Sequence, residues 1–128
     1  MNQDEKKYSV FLVDDDDFLL DMYASKFKTF GFNVEIAHDG KEALVKLKGG
    51  LSPDIILLDI VMPEMSGFEF LEAIKEEGIS IPKIVVLSNL GQKDDIEKGK
   101  KLGASDYIIK ASFTPSEVVK KVESLLNS

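Results

Sequence analysis

Apolar residues fall along this chain in two alternating rhythms: short continuous runs, and longer segments where they recur every three or four positions. A short apolar run between polar neighbours predicts a strand covered on both faces. The three-to-four spacing predicts an amphipathic helix. The first run, Val10–Val13 after Tyr8, stops abruptly at four aspartates. From there Phe18, Leu19, Met22, Tyr23, Lys26, Phe27 and Phe30 line one helical face, and Gly31 is the stop. Val34–Ala37 alternates as a short strand, and Lys41–Lys48 is helical through Ala43, Leu44 and Leu47 until Gly49 and Gly50. Asp54–Asp59 is an apolar run closed by acids at both ends. Ser66 and Glu69 have capping-box spacing, which opens a helix through Glu77 that Gly78 ends. Lys83–Ser88 reads as a second buried strand, Lys93–Leu102 as a weaker helix interrupted by Gly99 and stopped by Gly103, and Tyr107–Ile109 as a short strand. Thr114, Pro115 and Glu117 combine an N-cap, a proline at the first helical position and an acid at the third. The helix they start carries Val118, Val119, Val122, Leu125 and Leu126.

Five strands thus alternate with five helices, with no repeat, linker or low-complexity stretch. That order predicts an α/β fold with a mostly parallel sheet and helices on both faces. A flavodoxin-like five-stranded sheet is the economical form, although spacing alone leaves the strand order open. The 128 residues make one domain, 1–128, with its core at about 8–126.

Composition narrows the function classes. The absence of cysteine excludes disulfides, thiolate zinc sites and cysteine nucleophiles. The polar opening MNQDEKKYSV has no signal-peptide run. Ile55–Leu58 and Ile84–Leu87 are far too short to span a bilayer. A soluble, cytoplasmic chain without a membrane partner is therefore expected. All 16 basic residues are lysine, so the forked donor suited to bidentate phosphate or base recognition is missing. The net charge of −7 divides into −6 over residues 1–64 and −1 over 65–128, which argues against direct nucleic-acid binding. The lysine-rich stretch Lys93–Lys101 reads as a solvated helix face.

Ligands of open α/β sheets bind outside the carboxyl ends of the strands. The residues that follow the predicted strands are Asp14, Asp15, Asp16 and Asp17 after the first, Asp59 after the third, Ser88 and Asn89 at the fourth, and Lys110 after the fifth. Crowded carboxylates repel unless a cation joins them. An oxygen-only set suits a hard divalent ion, and Mg²⁺ typically takes one or two carboxylates plus a phosphate oxygen. Lys110 and Ser88 could each hold a phosphoryl oxygen. The set therefore fits phosphoryl transfer onto a carboxylate, chemistry in which positioning and charge neutralisation do most of the work. Each residue also has a plainer reading. Asp16 or Asp17 suits the N-cap of the first helix, Asp59 a strand-end turn, Ser88 a satisfied loop hydroxyl and Lys110 a solvent-exposed amine. His38, the only histidine, reads as a structural or surface residue. The meeting of acids, hydroxyl and lysine at separate strand ends is what favours chemistry.

Over residues 8–126 the chain resembles the receiver domain of two-component response regulators. The resemblance is carried by Val13-Asp14-Asp15, by Asp59-Ile-Val-Met-Pro63-Glu-Met-Ser-Gly67, by Leu87-Ser88 and by Gly103-Ala-Ser-Asp-Tyr107-Ile-Ile-Lys110. It implies strand order 2-1-3-4-5. It implies Asp59 as the phospho-acceptor, served by a sensor histidine kinase, a phosphotransfer protein or a small acyl phosphate. It implies Mg²⁺, or Mn²⁺ in its place, held by Asp14, Asp15, Asp59 and the backbone carbonyl of Val61. Ser88 and Lys110 would contact the phosphoryl oxygens. Tyr107 would be the aromatic switch that turns inward when Ser88 moves, although a half-buried edge tyrosine fits the pattern too. The surface of the fourth helix, fifth strand and fifth helix would signal to a downstream protein partner or to a second copy in a transient homodimer. The low-acid stretch Lys83–Lys121, with eight Lys against five acids, points to an acidic partner.

Five positions depart from the family pattern. Lys110 is followed by Ala111 where proline with a cis bond is usual. A cis non-proline bond costs about 2.5–4 kcal/mol, so either the site supports that strain or the loop differs. Ser88 replaces the commoner threonine. Asn89 stands where a small residue is usual and would narrow access to the phosphoryl group. Val61 and Leu90 are apolar where polar residues are frequent, which predicts poorly positioned hydrolytic water and a long-lived aspartyl-phosphate. No output segment follows the last helix in this sequence: a full-length product would act alone, whereas a domain excised from a longer chain would have its output elsewhere. Three other classes compete. A phosphatase would use a general acid two residues after the acceptor, where Val61 stands. A flavodoxin-like cofactor carrier would need a phosphate loop where four aspartates stand. A degenerate receiver would bind partners without phosphorylation, and here every expected site residue is present.

Overall fold

The computed structural model describes residues 7–127. Residues 1–6, which hold most of the polar opening, and Ser128 lie outside the described residues. The strands are β1 (Ser9–Val13), β2 (Asn33–Ala37), β3 (Ile55–Leu58), β4 (Lys83–Ser88) and β5 (Asp106–Ile109). They form one sheet in the order β2-β1-β3-β4-β5, and every neighbouring pair is parallel. The helices are α1 (Asp17–Thr29), α2 (Gly40–Lys48), α3 (Gly67–Glu76), α4 (Lys93–Lys101) and α5 (Pro115–Leu126). This is the flavodoxin-like architecture that the alternation predicts, in the order that the resemblance implies.

Side chains alternate across a strand, so each strand feeds both faces of the sheet. Val10, Leu12, Ile55, Leu57, Val85, Leu87 and Ile108 pack with α1 and α5 through Leu20, Phe27, Val118 and Val122. Phe11, Val13, Ile56 and Leu58 pack on the other side with Ala43 and Leu47 of α2 and with Phe70, Leu71 and Ile74 of α3. A smaller cluster of Ile60, Phe68, Val86 and Ala104 is joined by Leu90 and Tyr107. No helix among the described residues is long and apolar enough to cross a membrane.

Local chemistry sets the helix ends. Asp16, rather than Asp17, caps α1 by accepting from the Leu19 amide at 3.1 Å. Ser66 with Glu69 and Thr114 with Glu117 form complete capping boxes. Gly31, Gly50, Gly78 and Gly103 all take positive φ where the chain leaves a helix, which only glycine does without strain.

Three expectations need correction. Phe18 is 78% exposed and Phe30 also faces solvent, while Leu20 is buried. With the cap at Asp16, the buried stripe of α1 runs through Leu20, Tyr23, Ala24 and Phe27, and Phe18 falls on the opposite side. Gly99 does not interrupt α4, which continues through it to Lys101. After β5 the chain enters a 3-10 turn at Lys110–Ser112 that the hydrophobic pattern does not reveal.

Candidate functional site

The strand order builds the site. β1 lies between β2 and β3, so the chain reverses its direction of travel across the sheet there and leaves a crevice at the strand ends. Val13 is in register with Leu58, which sets Asp14 beside Asp59. Ser88 is in register with Ile109, which brings Lys110 to the same rim. Carboxylate oxygens of Asp14, Asp15 and Asp59 lie within 4.8 Å of one another.

Two of these acids are sunk into the protein. Asp14 is 5% exposed and Asp59 8%, whereas Asp15 stands at the surface. Asp14 Oδ1 accepts from the Asp16 amide at 3.0 Å, and Asp59 Oδ1 accepts from the Ile60 amide at 2.7 Å. The Lys110 ammonium bridges the pair, donating to Asp14 Oδ2 at 2.6 Å and to Asp59 Oδ2 at 3.1 Å. Burial raises the pKa of Asp14, because desolvation outweighs what Lys110 and the Asp16 amide return. Burial also opposes the charge of Lys110, but the hydrogen bond it donates to Asp14 and the charge of Asp59 overcome it and leave its pKa raised. The two directions fit one cation shared between two anions: Lys110 gains from both carboxylates, and each carboxylate has part of one ammonium.

An oxygen-only set of three acids against a single ammonium has the donor chemistry of a hard divalent cation site. A metal there would relieve the repulsion that Lys110 leaves uncompensated.

The hydroxyl side of the site is also ordered. Ser88 is 1% exposed, and its Oγ accepts from the Leu90 amide at 3.2 Å. The carbonyl of Leu90 accepts a hydrogen bond from the Tyr107 hydroxyl. Burial, then the charges of Asp95 and Asp59, push the Tyr107 pKa up to about 12. Tyr107 is half-buried on an edge strand, so the plainer reading of this residue holds together with its inward hydrogen bond. Asp59, Val61, Ser88, Asn89, Leu90 and Lys110 line an open pocket above the acids, and Val61 is 63% exposed there. His38 sits at the rim, on the surface, 3.2 Å from Glu42 and 3.4 Å from Asp17.

Three residues take a part in the site that the sequence reading does not give them. Gly67 is the last residue of the Asp59 motif, and a Cβ there would lie 2.3 Å from the Asp59 carbonyl oxygen. Its amide donates to the Ile60 carbonyl at 2.9 Å, so the start of α3 packs directly on the loop after β3. Tyr23 reaches the underside of the site, lining a small cavity with Asp14 and Asp59, and burial raises its pKa. A polar-tipped residue on the core face of the helix next to the acids is the signal that could have identified it. Ala111, finally, donates its amide to Asn89 Oδ1 at 3.0 Å, which proline could not do. No peptide bond among the described residues is cis, so at Lys110–Ala111 it is the loop that differs.

A family model described as the response regulator receiver domain matches residues 10–123. The chain is 34% identical over 122 residues to a probable transcriptional regulator, ycf27, of Guillardia theta, covering 95% of this chain and 46% of that protein. It is 33% identical over 117 residues to the response regulator SaeR of Staphylococcus aureus, covering 91% of this chain and 50% of that one. It therefore spans about half the length of the curated relatives it matches. Among solved structures, the Vibrio cholerae chemotaxis protein CheY4 is similar with a TM-score of 0.84 at 30% identity, covering 93% of this chain and 98% of that chain. The receiver domain of the Francisella response regulator 1452 has the same TM-score and identity, with 94% of this chain and 98% of that one covered.

Proposed function

The chain belongs to the response regulator receiver domain family, and on that premise we propose that it is a Mg²⁺-dependent phospho-acceptor switch working through Asp59. The observation that carries the proposal is the convergence of Asp14, Asp15 and Asp59 within 4.8 Å, with the Lys110 ammonium bridging two of them.

An Asp59 carboxylate oxygen attacks the phosphorus of a phosphohistidine or acyl phosphate. The new P–O bond forms as the donor's bond to phosphorus breaks, and the leaving group keeps the electron pair. Asp14, Asp15, Asp59 and the Val61 carbonyl are the groups that would hold the ion. A bound Mg²⁺ would supply neutralisation of the charge on the phosphoryl oxygens. Lys110 turns from the carboxylates to one phosphoryl oxygen, and Ser88 donates its hydroxyl to another. The Leu90 amide now on Ser88 Oγ is then released, and Tyr107 registers the change through the Leu90 carbonyl. A histidine kinase or phosphotransfer protein is the donor, and the exposed face of α4, β5 and α5 signals to a protein partner or to a second copy.

A second reading, a receiver that binds partners without being phosphorylated, draws support from Asn89, which lines the pocket and is tied to Ala111. Intact mass after incubation with acetyl phosphate separates the two. The switch predicts one phosphoryl group gained with Mg²⁺, none with a chelator, and none in Asp59→Asn or Asp15→Ala. No gain under any condition, including with a cognate phosphohistidine donor, leaves the binding module as the better account.

A further inference from the structure

The middle of α4 holds a glycine, Gly99, and it is the only buried residue of that helix. Glycine within a helix sacrifices stability relative to alanine, because it gives up more backbone freedom on folding. No positive φ calls for it here, since the left-handed glycines all lie elsewhere among the described residues. What fills the space beside it is the ring of Tyr107. A Cβ at position 99 would lie 3.2 Å from Tyr107 Cδ2 and 3.3 Å from Cε2, with Val86 Cγ2 at 3.7 Å. Side chains seldom pack that closely, so the ring would have to give way by a few tenths of an ångström. Withdrawal would strain the hydrogen bond from its hydroxyl to the Leu90 carbonyl. Leu90 in turn holds Ser88 Oγ through its amide at 3.2 Å, and Ser88 shares a pocket with Asp59 and Lys110. A line of contacts therefore leads from the site to the centre of α4: Ser88, Leu90, Tyr107, Gly99.

We propose that Gly99 is a positioning residue for Tyr107. Its missing side chain is the seat in α4 that admits the ring and lets the hydroxyl reach Leu90, so the state of Ser88 is felt at α4. The inference rests on the phospho-acceptor reading for its meaning, although its geometry can be tested apart from that reading. A methyl at 99 displaces the tyrosine ring, whereas Asp14, Asp59 and Lys110 are held by one another and by the Asp16 and Ile60 amides.

The test compares the full chain with Gly99→Ala, using tyrosine ring signals in NMR. The sequence has three tyrosines, and Tyr107→Phe assigns the relevant one. The parent should show close contacts from the Tyr107 ring to both the α proton of position 99 and the protons of Leu90. Gly99→Ala should weaken the Leu90 contacts and yet gain a phosphoryl group from acetyl phosphate to the same extent as the parent. Leu90 contacts that persist unchanged in Gly99→Ala overturn the proposal. Failure of both chains to be phosphorylated counts against the acceptor reading alone, because the tyrosine contacts are read without phosphate. A second arm covers a poorly folded variant. In a Tyr107→Ala background no ring opposes the new methyl, so Gly99→Ala should raise the urea midpoint there and raise it less, or lower it, in the parent. Equal gains in the two backgrounds would show that the ring and Gly99 are not coupled, and the proposal would fall.

Discussion

At position 67 the Asp59 carbonyl oxygen leaves no space for a methyl group: a Cβ would meet it at 2.3 Å and the Ile60 Cα at 2.8 Å. Both neighbours are backbone, so neither can rotate away as a flexible side chain would. Gly67→Ala should therefore destabilise the fold by about 1–3 kcal/mol, the usual range for overpacking. Urea denaturation measures it, and an unchanged midpoint would mean that α3 can shift off the loop after β3. The glycine stands in the sequence as part of a motif, but its reason is visible only once Ile60 and the start of α3 are brought together. The same applies to Asn89. Its side chain lines the pocket and also accepts from the amide of Ala111, across the ends of the neighbouring strands β4 and β5. Val61 and Leu90 lie on the pocket wall as apolar residues, with Val61 open to solvent. Replacing them as the pair Val61→Asn and Leu90→Glu should shorten the aspartyl-phosphate lifetime severalfold in a mass-resolved decay. An unchanged lifetime would mean that these two side chains do not govern hydrolytic water.

Helices proved the most legible elements because their ends are set by neighbours in sequence. Asp16, Ser66 and Thr114 each hold an amide three residues on, and each cap could be found without tertiary information. Thr114→Ala should lower stability by about 1 kcal/mol through loss of one such bond, again read from urea denaturation. The buried stripe of α1 was harder to place. Phe18 lies two residues before Leu20, about 200° around the helix from the start of the buried stripe, and an apolar residue at a helix start carries no label saying which way it faces. The 3-10 turn at Lys110–Ser112 has no periodic signature at all, since three residues cannot show one. At the β2–α2 junction, the Glu42 carboxylate accepts from the His38 amide at 3.0 Å and lies 3.2 Å from its ring, and these contacts lower its pKa below the usual 4.5. A depressed carboxylate pKa gives stability that is present above the unfolded value and lost as pH falls through the folded one. Glu42→Gln should therefore narrow the fall in stability below about pH 4.5, and identical acid profiles for parent and variant would argue against that contribution.

For the whole molecule, the decisive fact is the strand order, which puts the ends of β1 and β3 side by side and Lys110 across from both. The alternation of short and long apolar segments was enough to predict the fold class, because patterning is a local property. The order itself depends on which strands pair, and the sequence supplied it only through its likeness to a family. The site residues were legible one by one as strand-end polar groups. Their mutual geometry, and the routing of Ser88 to Tyr107 through Leu90, depend on contacts between distant elements. A site with three carboxylates and one ammonium should gain from a divalent ion. At a Mg²⁺ concentration 100 times the dissociation constant, folding should strengthen by about 2.7 kcal/mol, and a chelator should remove that gain. Asp15→Ala should show little of it, and equal gains in parent and variant would place the ion elsewhere. The most direct test of the central claim is reductive trapping. After acetyl phosphate and Mg²⁺, borohydride converts an aspartyl-phosphate to homoserine, and peptide mass spectrometry reads its position. Homoserine at position 59, and nowhere in the run from Asp14 to Asp17, is the predicted result. Homoserine at one of those four aspartates with Asp59 intact would contradict it.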